Sequence, residues 1–337
     1  MTIRHEIIRD AESLVLMAPS WRALWGTVEI ATPFLHPDWL TSWWDIFAPG
    51  ELRAIAVFDG SRVIGLAPLY VERDRGRTRL LPLGISLSDY TDVLVDPRHW
   101  PEAVDAIAFA IAKMSDIDEL ELGELPPNAM ALRISAPAGW QHFQDRGSAC
   151  PVLTLPGSPD ELSQAIPHSR LRHLRTARNR AAKRGEVAII EGDVDNAEAL
   201  LTELIRLHSL RWQGKGDGVF ADSRVAQFHN AALPHLMRDS LVRLYALTIN
   251  ETVVGVYYGF LHRGRAYAYL CGYDPDFAFE SPGAILLGHA IEQAVQEGAS
   301  EFHFLRGREA YKYEWGAKDR WNTRLILAPE LPRVAHG

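Results

Sequence analysis

The sequence predicts an α+β protein that contains two copies of one unit, each with a mixed central sheet flanked by helices. Its 337 residues are enough for about two domains. Apolar residues make up 47% of the chain and charged residues 23%, so two hydrophobic cores can form. The most informative observation is an internal repeat, because the order strand, strand, strand, helix, strand occurs twice.

Each copy opens with a predicted β-hairpin, at residues 57–70 and at residues 247–260. Both segments contain an apolar strand, a polar two-residue turn and a second apolar strand, which is the pattern of a hairpin. The turns are Asp59-Gly60 and Asn250-Glu251. Gly65 and Gly255 occupy matching positions in the second strands, so we expect the two hairpins to have the same design.

The elements that follow each hairpin also correspond. A third strand reaches an Asp-Pro pair, a helix follows, and a short alternating strand comes last. The Asp-Pro pairs are Asp96-Pro97 and Asp274-Pro275, the helices lie near 101–114 and 282–297, and the last strands are Glu119–Leu122 and Glu301–Phe304. A Pro- and Gly-rich stretch from Pro126 to Pro159 separates the copies, which predicts an N-terminal domain at 1–160 and a C-terminal domain at 161–337.

The composition argues against several classes of protein. A formal net charge of −8 disfavours nucleic acid as the general partner. The two cysteines, Cys150 and Cys271, lack the spacing of a zinc site or a disulfide framework, so no metal is expected. The N-terminal residues mix charges from the start, and no run of about 18 apolar residues occurs. We therefore expect no signal peptide, no membrane span and a cytoplasmic location.

The helix of the second copy begins with the features of an anion site. Ser281 is expected to cap it, Pro282 suits the first helical position, and Gly283 leaves the first turn without a Cβ. Free N–H groups at such a start bind phosphate readily. The first copy has Trp100 and Glu102 at the corresponding turn, where bulk and negative charge would repel a pyrophosphate. The pattern predicts one phosphate site, in the second copy, and a well-capped helix without a ligand is the alternative.

The order of these motifs resembles the BioF-like/CelD-like acetyltransferases of the GNAT (GCN5-related acetyltransferase) superfamily. The motifs that carry the resemblance are the Asp-Pro pair before Ser281-Pro282-Gly283, then Gly298, Arg306-Gly307, Glu309 and Tyr311-Lys312, together with Ser88–Asp92, His208 and Arg211-Trp212. They extend over about residues 30–320. The resemblance implies two fused GNAT-like domains, the first degenerate, an architecture also found in the FemABX aminoacyl transferases, which attach amino acids from aminoacyl-tRNA to peptidoglycan precursors.

The resemblance implies that the second domain binds acetyl-CoA or another acyl-CoA as co-substrate. In the GNAT fold, the strand before the phosphate-binding helix carries a bulge whose backbone N–H groups polarise the thioester carbonyl. That strand corresponds to Tyr267–Tyr273, with the bulge expected at Leu270 to Gly272. The residues implied to bind the co-substrate are Leu270, Gly272, Ser281, Gly283 and Ala284.

The implied reaction is direct attack of an amine on the thioester. Such an enzyme needs a base for the ammonium proton and an acid for the departing thiolate. Glu309 is the candidate base, Tyr311 the candidate acid, and Lys312 the residue expected to stabilise negative charge. The alternative is that these residues form a solvated charged loop.

The segment Ser88–Asp92 is the candidate binding site for the acceptor. Asp89 and Asp92 could hold a cationic amine, with Tyr90 beside them. The alternative is a polar loop whose carboxylates hold a turn through its own backbone. The further substrate-binding candidates, on the resemblance alone, are Arg211, Trp212 and Arg306.

Residues 168–184 form a basic segment with seven Lys or Arg and no acid. Apolar residues at helical spacing predict a helix with one apolar stripe: Leu171, Leu174, Ala177 and Ala181. Three interpretations of its basic face stay open, namely solvated surface, a binding surface for a phosphorylated or acidic substrate, and a contact with tRNA. The acidic character of the whole chain disfavours the last of these.

Together these features predict an acyl-CoA-dependent N-acyltransferase that moves an acyl group to an amine of a small-molecule or cell-envelope precursor. Two other functions stay open: FemABX-like transfer from aminoacyl-tRNA, and a non-catalytic scaffold that binds acyl-CoA. Salt-sensitive tRNA binding would indicate the first, and tight ligand binding without an acyl product would indicate the second.

Overall fold

The computed structural model describes residues 3–212 and 218–329, which form two compact units. The first unit contains the chain up to Ser148 and again from Trp321, and the second comprises Ala149–Arg320. Each unit has its own hydrophobic core of buried aliphatic and aromatic side chains. The predicted two-domain α+β architecture is therefore confirmed.

The boundary between the units differs from the predicted one at residues 160 and 161. Strand β9, Gln141–Thr154, carries the chain from the first unit to the second, and strand β15, Lys318–Ala328, carries it back. The prediction placed the boundary just after a Pro- and Gly-rich stretch, Pro126–Pro159, that contains this long strand. Composition could not show that the last strand returns to the first unit, because that pairing is made with residues far away in the sequence.

The first unit contains strands β1 to β8 and helices α1 to α4. The strands are β1 Ile3–Ile8, β2 Glu51–Leu52, β3 Ala54–Asp59, β4 Arg62–Ala67, β5 Leu69–Asp74, β6 Arg77–Pro82, β7 Leu94–Val95 and β8 Glu119–Leu125. The helices are α1 Ala11–Leu16, α2 Ala18–Trp25, α3 Pro37–Phe47 and α4 Trp100–Ala112. One antiparallel sheet has the order β1-β3-β4-β7, and a second group has the order β2-β5-β6-β8-β15, in which only β6 and β8 are parallel.

The second unit contains strands β10 to β14 and helices α5 to α10. The strands are β10 Val187–Glu191, β11 Val242–Ile249, β12 Thr252–His262, β13 Arg265–Tyr273 and β14 Glu301–His303. The helices are α5 Leu162–Ala165, α6 His168–Arg184, α7 Ala197–Trp212, α8 Ser223–Arg238, α9 Pro282–Gln296 and α10 Ala310–Glu314. Its strands follow the order β10-β11-β12-β13-β14-β9, in which only β13 and β14 are parallel.

The two predicted hairpins are present and share one register. Val57 in β3 faces Gly65 in β4, and Leu247 in β11 faces Gly255 in β12. In both hairpins the register shifts by one residue immediately after this pair. The same register shift at equivalent positions of the two hairpins is strong evidence that the units are copies of one design.

The paired glycines allow a helix to approach the sheet closely in each unit. A Cβ on Gly65 would lie 3.1 Å from the Cβ of Ala103 in α4. A Cβ on Gly255 would lie 2.9 Å from the Cδ1 of Leu286 in α9. Each glycine is therefore required by the packing of the helix that follows the third strand.

The Asp-Pro pairs also occupy equivalent places. The N–H of Asp96 donates to the carbonyl of Ile64 at 2.8 Å, and the N–H of Asp274 donates to that of Val254 at 2.9 Å. Each aspartate carboxylate accepts the N–H of the residue two positions ahead at 3.0 Å. These turns direct the chain from the end of the third strand into α4 and α9.

In the described part of the chain, no helix combines the length and the apolar character needed to cross a bilayer.

Candidate functional site

The main candidate site lies where two parallel strands of the second unit diverge. β13 and β14 pair only at Arg265–Tyr267 and Glu301–His303. β13 continues along β12 as far as Tyr273, whereas β14 ends and the chain turns away toward α10. The backbone of β13 beyond Tyr267 therefore borders an opening between the strands.

A β-bulge begins where the strands separate. Tyr258 faces Leu270 while the next residue of β12, Gly259, faces Ala268, so Tyr269 is the extra residue of β13. The predicted position, Leu270 to Gly272, is corrected by this register. The glycine that permits the bulge is in the neighbouring strand, since a Cβ on Gly259 would lie 2.6 Å from the carbonyl oxygen of Tyr267.

Gly272 has a packing role that was not predicted, and its contact with the co-substrate stays a prediction. A Cβ at this position would lie 2.8 Å from the backbone nitrogen of His208 and 2.9 Å from the carbonyl oxygen of Leu204. The glycine therefore allows the backbone of α7 to rest directly on β13. This contact brings the end of α7, with Arg211 and Trp212, to the candidate site.

Helix α9 begins beside the end of β13. Pro282 is its first residue, as predicted, and Ser281 occupies the N-cap position. Ser281 has left-handed backbone angles, φ 55° and ψ 58°, and its side chain makes no capping hydrogen bond. The predicted side-chain cap is thus absent, and the hydroxyl of Ser281 donates instead to the carbonyl of Ala278 at 3.5 Å.

Gly283 keeps the first turn of α9 open. A Cβ at this position would meet only the ring of Tyr273, at 3.5 Å. In the first unit the corresponding turn carries bulky and acidic side chains, because the guanidinium of Arg133 lies 4.8 Å from the ring centre of Trp100 and Glu102 is exposed. The geometry thus favours a phosphate at α9 and disfavours one at α4.

Two of the candidate residues, Arg211 and Tyr311, lie near Cys271 of β13. Arg211 lies over the ring of Tyr273, 4.8 Å from its centre. Burial raises the pKa of the Cys271 thiol to about 11, and the positive charge of Arg211 opposes that rise. Burial, reinforced by the charges of Glu309 and Cys271, also raises the pKa of Tyr311 above its usual range. The thiol and the phenol are both protonated at neutral pH, so Cys271 is not an activated nucleophile.

Lys312 is buried in α10 and is not part of a solvated loop. Its ammonium group donates to the carbonyl oxygens of Leu305, Arg306 and Gly307 at 3.2, 2.6 and 3.2 Å. Its nitrogen lies 2.9 Å from Glu309 Oε2, and the side chain is 3% exposed. The lysine therefore fixes the loop between β14 and α10, while its predicted catalytic role and that of Glu309 stay predictions.

A group of buried rings lies behind the bulge. The imidazole of His229 contacts Tyr258 and Tyr269, each with ring centres 5.6 Å apart. Burial lowers the pKa of His229 to about 3 and that of His208 to about 4, so both rings are neutral at neutral pH. His229 was missed by the sequence analysis, because a lone histidine in an amphipathic helix gives no sign of its distant neighbours.

The segment Ser88–Asp92 lies in the first unit, where Asp92 holds a loop. Asp92 Oδ1 accepts the N–H groups of Val93 and Ala131, and Oδ2 accepts that of Met130, over 2.7 to 2.9 Å. Burial raises the pKa of Asp92 to about 7, against the opposing effect of these three donors. This arrangement favours the alternative in which the carboxylate holds a turn.

The other two acceptor-binding candidates in the segment, Asp89 and Tyr90, are also packed within the first unit. Tyr90 is buried, with its ring centre 6.3 Å from that of Phe34. The carbonyl of Asp89 accepts a hydrogen bond from the side-chain amide of Asn322 at 3.2 Å. Their predicted contact with an acceptor stays a prediction.

The basic segment forms a helix, α6, as predicted, and its apolar stripe packs on α9. The Leu174 side chain lies where Gly288 has no Cβ, and Arg178 pairs with Glu292 at 2.7 Å. Arg170 is buried, with its guanidinium 4.4 Å from the ring centre of Trp315. Several of the seven cations thus serve packing, while Arg172, Arg175 and Lys183 are exposed.

Comparisons with known proteins support this description. Residues 168–313 match the family model of the acetyltransferase (GNAT) domain. The structure of FemX is 13% identical in sequence, with 96% of this chain and 97% of that chain covered and a TM-score of 0.68. No curated protein matches the sequence.

Two further solved structures share the fold. A conserved protein of unknown function from Bacteroides thetaiotaomicron is 12% identical, with 96% of this chain and 100% of that chain covered and a TM-score of 0.63. The C-terminal domain of a putative lysylphosphatidylglycerol synthetase from Agrobacterium fabrum is 11% identical, with 95% and 92% covered and a TM-score of 0.56. The chain thus shares the fold of FemX over nearly its whole length, and its residues 168–313 match the GNAT acetyltransferase domain.

Proposed function

We propose that this protein is an acyl-CoA-dependent N-acyltransferase whose donor site is in the second unit. The observation that carries the proposal is the divergence of β13 and β14 next to the open first turn of α9, within a GNAT domain. The thioester arm of an acyl-CoA can enter between the separated strands while the pyrophosphate of the same molecule lies at the start of α9. Gly283 supplies the space that such close backbone contact requires.

The bulged part of β13 supports the carbonyl of the thioester in this proposal. Its backbone beyond Tyr267 is not used by β14, and the extra residue Tyr269 turns it away from regular pairing. Fixed N–H groups that point at a developing oxyanion stabilise it without any reorganisation. The contact of α7 with Gly272 keeps this strand in place.

Tyr311 is the proposed acid for the departing thiolate. Its raised pKa keeps the phenol protonated, and the charge of Arg211 reaches both Tyr311 and Cys271. When an amine attacks the carbonyl carbon, the C–S bond breaks and the thiolate takes the phenolic proton. The positive charge of Arg211 favours both the thiolate and the transient phenolate.

Glu309 is the proposed base for the ammonium proton of the acceptor. Its side chain is 57% exposed, so one carboxylate oxygen can face an incoming amine while the other pairs with Lys312. The lysine therefore acts through Glu309 and the loop, as a positioning residue. An amine is a fitting acceptor because the site offers a carboxylate and protonated phenol, and no activated protein nucleophile.

A panel of CoA thioesters and amines tests the proposal directly. We expect acetyl-CoA or a longer acyl-CoA to raise the melting temperature of the full chain, and free CoA to be released only when an amine is present. Tyr311→Phe should lower turnover by about 10²-fold or more without loss of thioester binding. Thioester binding without any acyl product across the panel would instead indicate a non-catalytic scaffold.

Transfer from aminoacyl-tRNA is the second candidate function. The similarity of fold to FemX over nearly the whole of both chains favours it. A thermal-shift experiment at two salt concentrations distinguishes the two donors. Binding of tRNA would weaken steeply between low and moderate salt, whereas binding of a CoA thioester would not. Stabilisation by charged tRNA, together with none by any CoA thioester, would replace the first proposal with the second.

A further inference from the structure

An open pocket lies between α6 and the chain just before α9, outside the opening described above. It is lined mainly by the last turns of α6 and by two residues that precede α9: Asn179, Arg180, Lys183, Arg184, Phe279 and Glu280. Glu280 is two residues before Pro282, the first residue of α9. The lining of the pocket therefore reaches within two residues of the helix start at which the pyrophosphate is proposed to lie.

Three cations give the pocket a positive character. Arg180 donates to the carbonyl of Phe279 at 3.2 Å, so that guanidinium is already used in holding the chain. Arg184 lies at the distance limit of an ion pair with Glu280, 4.0 Å. Lys183 is exposed, and the described residues include no ion-pair partner for it. A net positive pocket with an uncommitted lysine suits a phosphate group.

Glu280 makes the pocket more than a charged surface. The residue is 4% exposed, and its Oε2 has no hydrogen-bond donor among the described residues. A buried carboxylate oxygen without a donor is costly, and in native proteins it calls for a partner. A simple anion cannot supply that partner, whereas a ligand that carries an O–H or N–H group beside its phosphate can.

Phe279 adds an aromatic surface at the pocket edge. Its ring is held by the guanidinium of Arg180, 4.2 Å from the ring centre, and the residue remains 67% exposed. A large exposed apolar ring fixed in this way is suited to stacking on a flat base. Phosphate, hydrogen-bond donor and flat base together describe a phosphorylated nucleoside.

We propose that this pocket binds the 3′-phosphorylated adenosine end of the acyl-CoA. Lys183 and Arg184 hold the 3′-phosphate, a ribose hydroxyl or the adenine amino group donates to Glu280 Oε2, and the base stacks on Phe279. The inference rests on the proposed function, and it assigns the basic face of α6 to recognition of the donor. An adenosine that carries only the diphosphate, without the 3′-phosphate, would lack the contact with Lys183.

Calorimetry on the full chain tests the pocket without turnover. The probe is adenosine 3′,5′-bisphosphate, and Lys183→Ala should weaken its binding about tenfold, since one charge-assisted contact is removed from an exposed site. Arg172→Ala is the matched control, because Arg172 is an exposed cation of the same helix that does not line the pocket. Wild-type protein should prefer acetyl-CoA to 3′-dephospho-acetyl-CoA, and Lys183→Ala should abolish the preference.

Glu280→Gln should affect the binding of two probes, adenosine 3′,5′-bisphosphate and inorganic pyrophosphate, in different ways. It should weaken the bisphosphate while inorganic pyrophosphate binds at least as well as before, because only the nucleoside uses the carboxylate. Equal losses in Lys183→Ala and Arg172→Ala, or no preference for the 3′-phosphate in wild-type protein, would overturn the inference. Acyl transfer that is indifferent to Lys183 would overturn it while sparing the proposed function. Binding of the bisphosphate through Lys183 without any acyl transfer would support the pocket and count against the proposed function.

Discussion

The ammonium nitrogen of Lys312 lies 2.6 Å from the carbonyl oxygen of Arg306, inside a cage completed by two further carbonyls and by Glu309. Two residues of this loop, Leu305 and Gly307, have positive φ angles of 61° and 106°. The ammonium group therefore stabilises a backbone shape that the chain would not adopt readily by itself. This loop positions α10 and Glu309 at the candidate site.

Lys312→Ala should lower the free energy of unfolding by about 3 kcal/mol, because it leaves three carbonyls and a carboxylate without their shared donor. The measurement is urea denaturation, with the exposed Lys318→Ala as control. A variant with wild-type stability but lost turnover would show that Lys312 acts in the chemistry instead.

Gly272→Ala should destabilise the second unit by about 1–3 kcal/mol, because the new methyl group would press on the backbone of α7. Gly283→Ala is the matched control, since the methyl group there has room and a helical glycine is replaced by a better helix former. Thermal unfolding of both variants makes the comparison. Equal melting temperatures would mean that α7 can move away from β13 at little cost.

Gly283→Glu tests the helix start of α9. The carboxylate would occupy the space proposed for the pyrophosphate and would repel it, so acetyl-CoA affinity should fall by roughly 10- to 100-fold. Calorimetry with acetyl-CoA measures the loss, and Gly283→Ala shows how much of it is due to bulk alone. Unchanged affinity in Gly283→Glu would remove this helix from the donor site.

The buried His229 should make the protein sensitive to acid. Its pKa is about 3 in the folded state against an ordinary value of 6.5, so the unfolded state binds the proton more readily. Stability is then complete above pH 6.5 and falls toward pH 3, by about 1.4 kcal/mol per pH unit. Urea denaturation at pH 7, 6 and 5 should show a shallower decline for His229→Phe. Parallel declines in variant and wild type would assign the acid sensitivity to other groups.

The duplicated framework could be predicted from the sequence because its determinants are local. The hairpins, the paired glycines and the Asp-Pro turns each depend on residues close together in the chain. Gly65 and Gly255 show this well, since each marks both a register shift and the approach of a helix. The helix limits of α4 and α9 were also close to the predicted ones.

The finer features of the site depend on distant contacts and could not be predicted. The bulge at Tyr269 is set by Gly259 in the neighbouring strand, whereas the sequence drew attention to Gly272. Lys312 is buried because carbonyls of the preceding loop surround it, although its charged neighbours suggested solvent. Burial of charged groups is decided by tertiary packing, which a local pattern does not contain.

The stoichiometry of acetyl-CoA binding tests whether the chain has a single donor site, located in the second unit. We predict one molecule per chain in isothermal titration calorimetry, because the first turn of α9 is open around Gly283 while the corresponding turn of α4 carries Trp100 and the acidic Glu102. Binding of one equivalent that is lost in Gly283→Glu would support a single donor site in the second unit. Two equivalents, or no binding of acetyl-CoA and longer acyl-CoA esters at all, would contradict it.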